Sequence, residues 1–490
     1  GAELGEALER SVNYLDGTTQ RFDSGGGFLE LDAEKIYRPV CWEAAWLYNF
    51  FKGDPGPGEY FEHIDGNRVA IDWMRPGYSP DAEWTPCRPA AASVPVAAAE
   101  YNYQYEAIAP QRIEKLGDGH YLIDFGREAI GGLRLAGPAA GGTVEVRLGE
   151  ELLQPDKVRY QMRTGNCYQE RWNFRPGHQR LQHFGLRIFR YAELLGYHDA
   201  LPPEAIAHWS VRAPFDDAAG QFSTSDPKLQ RLWNFCKYSV KATGMDLYTD
   251  CFSRERIAYE ADSYITMRTG FAVGNGVAIA RRTLEYLLGH HTWPCEWYQM
   301  MIPLFHEFYY HTGDRDFLAR HFDALVKQSA FVELCEQALP VRKFPYEIII
   351  DWPPPTRDGY VIDETGCTVP NCLIHHNFRL LEELAGHLGR EADRKRFAAL
   401  AAAMREAIRR ECFDADRGIY RDSAGSDHAT LHANFWALWC GVVPEEQVET
   451  VLDFVEAQGM NCSLFSAQFL LDVLFRSEER RVGKECRSRW

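Results

Sequence analysis

Residues 250–262, with the sequence DCFSRERIAYEAD, divide this chain of 490 residues into two parts of different character. Four acidic residues and two arginines fall within the stretch, together with Phe252, Ile257 and Tyr259. The chain before it shows the apolar–polar alternation of β-strands, and the chain after it shows the periodicity of helices. The stretch therefore marks the passage from a β-region to a helical region, and its carboxylates make it the first candidate for a functional site.

The chain before this stretch has the pattern of a β-sandwich. Residues 121–126 and 143–148 alternate between apolar and polar side chains, and residues 184–194 are a further strand candidate. Glycine pairs at 131–132 and 141–142 fall between such runs, and turns spaced roughly ten residues apart are typical of a sandwich. We therefore assign residues 1–205 to a β-sandwich accessory region, in which an Ala/Pro/Val-rich break near 90–100 is consistent with two sub-domains.

Residues 206–224 are predicted to be a connector strand, with Gly220–Thr224 as its last part. Ser225 is the expected N-cap of the first helix, because Pro227 follows two positions later and apolar residues then recur at helical spacing. Helices joined by short loops pack as antiparallel pairs, and such pairs repeated around a circle form an (α/α) barrel with one end open. Further helices are predicted at Val277–Leu288, Ile302–Tyr310, Phe317–Leu334, His375–Leu388, Arg394–Cys412, Glu445–Gln458 and Leu464–Phe475.

Composition restricts the class of function. The formal net charge of −17 at pH 7 argues against nucleic-acid or anionic-membrane partners, since phosphates require lysine and arginine. No run of 18 apolar residues is present, so no transmembrane helix is expected. The 13 cysteines are scattered singly, which favours buried thiols and leaves the compartment, cytoplasmic or periplasmic or secreted, undetermined. Oligomeric state is likewise not indicated.

The last fifteen residues, 476–490, differ from the rest of the chain. They are rich in arginine and nearly devoid of apolar residues, directly after an apolar helical segment. They are either a charged surface tail or, as we favour, a non-native extension. On that hypothesis residues 225–475 are the part of the barrel that this chain contains, and the C-terminal part of the barrel is missing.

The carboxylates of the opening stretch suit hydrolysis of a glycosidic bond. That reaction requires a protonated carboxylic acid beside the leaving oxygen and a second carboxylate that activates water or attacks the sugar. Neighbouring carboxylates and burial raise the pKa of such an acid, and Asp250, Glu260 and Asp262 provide neighbours for Glu255. The alternative is a charged helix start or a surface ion-pair cluster, and residue pattern alone does not separate the two.

The stretch resembles the signature of the α-L-rhamnosidases of glycoside hydrolase family 78, Asp-Cys-Pro-x-Arg-Glu-Arg-x-Gly-Trp-x-Gly-Asp. Six positions match at the same spacing, whereas Phe252, Ala258, Tyr259 and Ala261 depart from the pattern. The resemblance implies Glu255 as general acid. It implies that Asp250, Arg254 and Asp262 hold sugar hydroxyls and set the environment of that acid, and that Tyr259 provides an aromatic wall.

Similarity to the family extends beyond the signature. The segment Trp293–Trp297 resembles its next helical hairpin, and Ile350-Asp351-Trp352 resembles its Gly-Asp-Trp turn. The resemblance implies pocket roles for Trp297, Asp351 and Trp352, although core packing is the alternative for each tryptophan. Because Pro353, Pro354 and Pro355 follow, this turn should be loop and Asp351 should be exposed at a barrel mouth.

The family resemblance implies an N-terminal β-sandwich followed by an incomplete (α/α)6 barrel, and inverting hydrolysis of terminal α-L-rhamnosides. The general base of that mechanism is a second glutamate in a late loop, and we find no counterpart up to residue 475. Glu445, Glu446, Glu449 and Glu456 are expected to form the solvated face of a helix. The resemblance also implies that the chain lacks parts of such an enzyme at both ends. Alternatives are a six-hairpin glycosidase for another sugar and a carbohydrate-binding relative without catalysis.

No cofactor or metal is indicated. His375 and His376, and His428 and His432 four residues apart, have spacings that a metal could use, and the second pair could share a helix face. No carboxylate or cysteine completes a ligand set in the sequence, so these are predicted to be ordinary core or surface histidines. The predicted partner is a rhamnose-containing glycoside or polysaccharide.

Overall fold

The structure, a computed structural model, describes residues 9–13, 19–23, 29–30, 37–42, 59–68, 79, 85–86, 101–163, 167–253 and 256–488. Arg254 and Glu255 lie outside these described residues. The chain divides into two compact units. The β-unit comprises Gly1–Pro214 with Cys251–Arg256, and the helical unit comprises Phe215–Asp250 with Ile257–Trp490. The predicted order of a β-region followed by a helical region is confirmed.

Strands of the β-unit vary widely in length. Their bounds are β1 Glu9–Asn13, β2 Thr19–Asp23, β3 Leu29–Glu30, β4 Tyr37–Trp42, β5 Glu59–Asp65, β6 Thr85–Pro86, β7 Gln104–Ile108, β8 Arg112–Gly117, β9 His120–Ala136, β10 Gly142–Gly149, β11 Leu152–Gln154, β12 Lys157–Val158, β13 Gln169–Phe174, β14 Arg180–Gln182, β15 Arg187–Leu195 and β16 Ile206–Arg212.

A ten-stranded mixed sheet organises the described part of the β-unit. Its strands follow the order β4-β5-β13-β10-β15-β9-β16-β7, and β8 and β14 also pair with β9. The β5–β13 pair is parallel, and the other pairs are antiparallel. Alternate residues of these strands point into one core, which includes Val144, Val146, Trp172 and Phe189.

Strand β9 is longer than the sequence predicts, because Gly131-Gly132 lies inside it and is not a turn. Its 17 residues pair with β8 and β15 at one end and with β14, β15 and β16 at the other. A Cβ at Gly131 would lie 2.1 Å from the carbonyl oxygen of Trp209, and one at Gly132 would lie 2.8 Å from the Cβ of His183. These glycines therefore permit close backbone approach within the sheet.

The helical unit contains two short strands, β17 Phe413–Asp414 and β18 Ile419–Tyr420. Its α-helices are α1 Pro227–Thr243, α2 Glu260–Val273, α3 Val277–Gly289, α4 Cys295–Gln299, α5 Met301–Thr312, α6 Arg315–Ser329, α7 Val332–Gln337, α8 Thr368–Leu388, α9 Glu391–Glu411, α10 Leu431–Trp439, α11 Val448–Gln458 and α12 Leu464–Ser488. None of the helices in the described part of the chain is both long enough and apolar enough to cross a membrane.

The predicted strand at Gly220–Thr224 is wrong. The connector strand ends at Arg212, and the carbonyl of Gly220 accepts a hydrogen bond from Lys237 Nζ at 2.9 Å in place of a strand partner. Asp226, not Ser225, caps α1: its carboxylate accepts a hydrogen bond from the backbone amide of Lys228 at 2.7 Å. An aspartate directly before the proline satisfies a first-turn amide that Ser225 does not reach.

Several helix predictions are wrong in their bounds, including that of α12, which continues to Ser488. The predicted helix Phe317–Leu334 is two helices, because Phe331 adopts a left-handed conformation with φ of 51° that no α-helix accommodates. Helix α8 begins at Thr368, seven residues before the predicted start, and residues 368–375 are all buried. This first part has no polar face, so helical periodicity could not reveal it.

Replacing Gly131 by alanine should destabilise the β-unit by about 1–3 kcal/mol, because the added methyl group collides with backbone that cannot move aside. Urea unfolding followed by circular dichroism measures the change. Gly117→Ala is the matched control, since the nearest atom to its Cβ is that of His120 at 4.0 Å. Equal effects of the two substitutions would contradict the close-approach explanation.

Candidate active site

Two of the predicted site residues are in direct contact. Asp262, in the first turn of α2, accepts a hydrogen bond from the indole Nε1 of Trp297 at 2.9 Å. Trp297 belongs to α4, is buried, and packs with its ring centroid 4.9 Å from that of Phe465 in the first turn of α12. The starts of α2, α4 and α12 therefore meet at one end of the helical unit. Asp262 is half-buried there.

A second cluster, centred on Asp351, adjoins the first. One oxygen of its carboxylate accepts hydrogen bonds from the amide of Trp352 at 2.9 Å and from the Ser463 hydroxyl. The other accepts from His432 Nε2 at 2.9 Å and from the amide of Ser463 at 2.9 Å. His432 lies in α10, and Ser463 stands two residues before Phe465, so the cluster joins the starts of α10 and α12 to the loop before Trp352.

Asp351 is a buried anion. Burial by itself raises the pKa of its carboxyl group, but the hydrogen bonds from His432 and Ser463 outweigh burial and hold the pKa below its ordinary value. The exposure predicted for Asp351 at a barrel mouth is wrong, since its relative exposure is 0%. The physical reason is that its four hydrogen-bond donors belong to the protein. The prediction that the residues around it form loop is confirmed, with a 3₁₀ turn at Pro354–Arg357.

Trp352 is the exposed member of this region. Half of its surface is accessible, at 50%, and its ring meets that of Trp293 edge to face at a centroid distance of 6.5 Å. Two tryptophans thus stand together at the end of the helical unit where Asp262 and Trp297 lie. Flat aromatic faces with indole N–H donors are suited to sugar rings.

Tyr259 and Glu260 face the protein interior. Tyr259 precedes α2 as its N-cap and is 9% exposed, so most of its ring packs against protein. Glu260 is buried and accepts hydrogen bonds from the amide of Thr292 at 3.1 Å and from the hydroxyl of the same residue. Glu260 therefore links α2 to the chain before α4.

The described residues on either side of Arg254 and Glu255 make hydrogen bonds within each unit. Within the helical unit, the amide of Asp250, a half-buried residue, donates to the carbonyl of Ile257 at 3.0 Å. Within the β-unit, Arg256 donates from its amide to the carbonyl of Cys251 at 3.2 Å and from Nε to that of Phe252 at 2.9 Å. Arg256 also donates to the Tyr168 hydroxyl at 3.4 Å.

Glu296 is a buried acid that sequence reasoning missed, although it lies inside the quoted segment Trp293–Trp297. Its two oxygens accept the amides of Ile349 at 3.1 Å and Ile350 at 3.0 Å. Burial raises the pKa of Glu296 to about 7, against the lowering effect of these hydrogen bonds. His432 and Ser463 were also missed as a pair, because only the fold brings residues 31 positions apart onto one carboxylate.

The histidine pairs serve separate structural contacts. His428 precedes α10 and does not share a helix face with His432; its Nδ1 lies 2.7 Å from Asp422. His375 is buried with Nδ1 2.9 Å from the carbonyl of Ala401, and burial lowers its pKa to about 4. Within the described residues, no group of three His, Cys, Asp or Glu side chains could hold a metal ion.

Glu296 should make stability fall with rising pH. Its pKa is about 7 in the folded protein against 4.5 ordinarily, so its contribution is complete below pH 4.5 and is lost as pH rises through 7. At about 1.4 kcal/mol per pH unit, the loss is on the order of 3 kcal/mol. The free energy of unfolding of Glu296→Gln, relative to wild type, should increase by that amount between pH 4.5 and 8.

Urea titrations at a series of pH values measure this difference. Glu333→Gln, which changes an exposed glutamate of the same unit, should show no such trend relative to wild type. A Glu296→Gln protein that kept the wild-type pH dependence would show that Glu296 does not hold the proton.

Family models match both units. The model of the bacterial α-L-rhamnosidase six-hairpin glycosidase domain matches residues 217–483, and that of the bacterial α-L-rhamnosidase concanavalin-like domain matches residues 114–212. An α-L-rhamnosidase of Formosa agariphila is 23% identical over 276 residues, which are 52% of this chain and 26% of that protein. The chain thus spans about a quarter of the length of this curated relative.

Solved rhamnosidases share the fold. The rhamnosidase of glycoside hydrolase family 78 from Bacillus sp. GL1 superposes with a TM-score of 0.65 at 21% identity, over 75% of this chain and 41% of that one. The Streptomyces avermitilis α-L-rhamnosidase, complexed with L-rhamnose, gives a TM-score of 0.74 at 18% identity, over 96% of this chain and 45% of that one. Because the six-hairpin model covers more than half of its residues, this chain belongs to the bacterial α-L-rhamnosidase six-hairpin glycosidase family.

Proposed function

We propose that the protein hydrolyses terminal α-L-rhamnosides with inversion at the anomeric carbon. The observation that carries this proposal is the grouping of Asp262, Trp297 and Trp352 at one end of a helical unit that belongs to a rhamnosidase family. That end combines a half-buried carboxylate with an exposed aromatic ring, the two components of a monosaccharide site. L-rhamnose is supported as the sugar by the Streptomyces avermitilis relative, which was solved with it.

We further propose the finer architecture of the family for this chain. Residues 1–205 would form the β-sandwich, and residues 225–475 would form an incomplete (α/α)6 barrel. The match of the concanavalin-like model to residues 114–212 and of the six-hairpin model to residues 217–483 supports this assignment. In such a barrel the starts of α2, α4, α10 and α12 would surround the open end.

Glu255 would act as general acid. It would transfer its proton to the leaving oxygen while a water molecule attacks the anomeric carbon from the opposite face and gives its own proton to a general base. Asp250, Arg254 and Asp262 would bind sugar hydroxyls, and Trp297, Trp352 and Tyr259 would form the aromatic surroundings. Glu445, Glu446, Glu449 and Glu456 are all exposed on the 3₁₀ turn 445–447 and α11, so none is assigned as the base.

Loss of the general acid should affect poor leaving groups most. An unactivated alkyl rhamnoside needs protonation of its departing oxygen, whereas a dinitrophenolate departs without it. For the full-length gene product, Glu255→Gln should lower kcat on an alkyl α-L-rhamnoside by at least about 100-fold and spare most activity on 2,4-dinitrophenyl α-L-rhamnoside. Glu445→Gln, at an exposed glutamate, should retain wild-type rates on both.

Other results would redirect the assignment. Equal losses of kcat on both substrates would contradict the role of Glu255 as general acid. Hydrolysis of another aryl glycoside in preference to the rhamnoside would favour a six-hairpin glycosidase of different specificity, and binding of L-rhamnose without turnover would favour a carbohydrate-binding relative. Proton magnetic resonance of the first product formed from the rhamnoside distinguishes inversion from retention.

A further inference from the structure

The short segment 349–351, directly before Trp352, is held by hydrogen bonds on two sides. On one side the carboxylate of Glu296 accepts the amides of Ile349 and Ile350. On the other side Asp351 bonds to His432 and Ser463. Two buried carboxylates, one from α4 and one from the segment itself, therefore fix its backbone within the helical unit.

Backbone strain shows that this fixation is required. Ile350 has a φ of 61°, a left-handed conformation that is a clear outlier for a β-branched residue. Such a conformation persists only where the surroundings determine it. Its amide is held by Glu296, and the next residue, Asp351, is anchored by its side chain. After this left-handed residue, the Asp351 side chain is buried and the Trp352 side chain is half exposed.

Asp351 also controls the backbone of Trp352 directly. Its Oδ1 accepts the Trp352 amide at 2.9 Å, and its carbonyl accepts from Arg357 Nε at 2.9 Å. The Trp352 ring then projects with half of its surface accessible, in edge contact with Trp293. A half-exposed aromatic ring on a backbone fixed in this way is available to a ligand without rearrangement.

We propose that Asp351, His432 and Ser463 form a positioning cluster that holds Trp352 ready as a sugar platform, and that Asp351 itself touches no sugar. This inference rests on the proposed function for the identity of the sugar, but not for the positioning itself. Preorganisation of this kind removes the cost of ordering a side chain when the ligand binds. It assigns His432 and Ser463 a part in the site that the sequence did not indicate.

The chain contains a matched control for this cluster. Asp422 is also fully buried, and accepts hydrogen bonds from His428 Nδ1, Val361 N and the amide and hydroxyl of Thr430. It has the same number of donors, including one histidine, but none of them belongs to Trp352. Asp422→Asn therefore reports the general cost of neutralising a buried aspartate in this unit.

Fluorine magnetic resonance of protein labelled with 5-fluorotryptophan tests the positioning without any activity. Trp352→Phe identifies the Trp352 line. Asp351→Asn should shift and broaden that line, because the uncharged amide cannot accept all four donors and the ring gains alternative positions. Asp422→Asn should leave it in place. An unchanged Trp352 line in folded Asp351→Asn protein would overturn the proposal.

If Asp351→Asn does not fold, Ser463→Ala and Ser463→Thr decide the question. The alanine variant loses the hydroxyl donor to Asp351 and should broaden the Trp352 line, whereas threonine retains the donor and should restore it. Identical lines in the two variants would overturn the positioning role.

Titration with L-rhamnose then separates this inference from the proposed function. The dissociation constant should rise about tenfold in Asp351→Asn and by less than about twofold in Asp422→Asn. A wild-type protein that binds no L-rhamnose would contradict the proposed sugar, while the spectra recorded without sugar would still decide whether the cluster positions Trp352.

Discussion

The hydrogen bonds to the buried carboxylate of Asp351 are the constraint on which the candidate site depends. Removing an ionised carboxylate from water costs several kcal/mol, and each hydrogen bond to a charged group returns roughly 1.5–3 kcal/mol. His432, Ser463 and Trp352 supply four such bonds. Because these donors come from α10, from the start of α12 and from the loop itself, satisfying one charge fixes three separate parts of the helical unit.

The same principle recurs around this end of the helical unit. Glu260 links the start of α2 to Thr292, Glu296 links α4 to Ile349 and Ile350, and Asp262 links α2 to Trp297. Each acid accepts hydrogen bonds from a different segment. These hydrogen bonds join the starts of α2 and α4 to segments that are distant in the sequence.

The acids within residues 250–262 differ in how deeply they are buried. The sequence presents Asp250, Glu260 and Asp262 as equivalent neighbours of Glu255, whereas the structure gives Glu260 complete burial and leaves Asp250 and Asp262 half-buried. Helical periodicity accounts for part of this difference, since positions two apart on α2 point in different directions. Which direction faces the interior depends on Thr292 and Trp297, which are distant in sequence. Of these three acids, Asp250 and Asp262 are therefore partly accessible to a ligand, whereas Glu260 is not.

The sequence alone indicates the order of a β-region and a helical region, most helix positions and the resemblance to the family. These follow from local periodicity and from a motif of fixed spacing. The fold, by contrast, places Gly131-Gly132 within a strand, buries Asp351 while it exposes Trp352, and brings His432 and Ser463 to Asp351. Each of these depends on contacts between residues far apart in the chain, such as Gly131 with Trp209 and Asp351 with Ser463, and local sequence carries no record of such contacts.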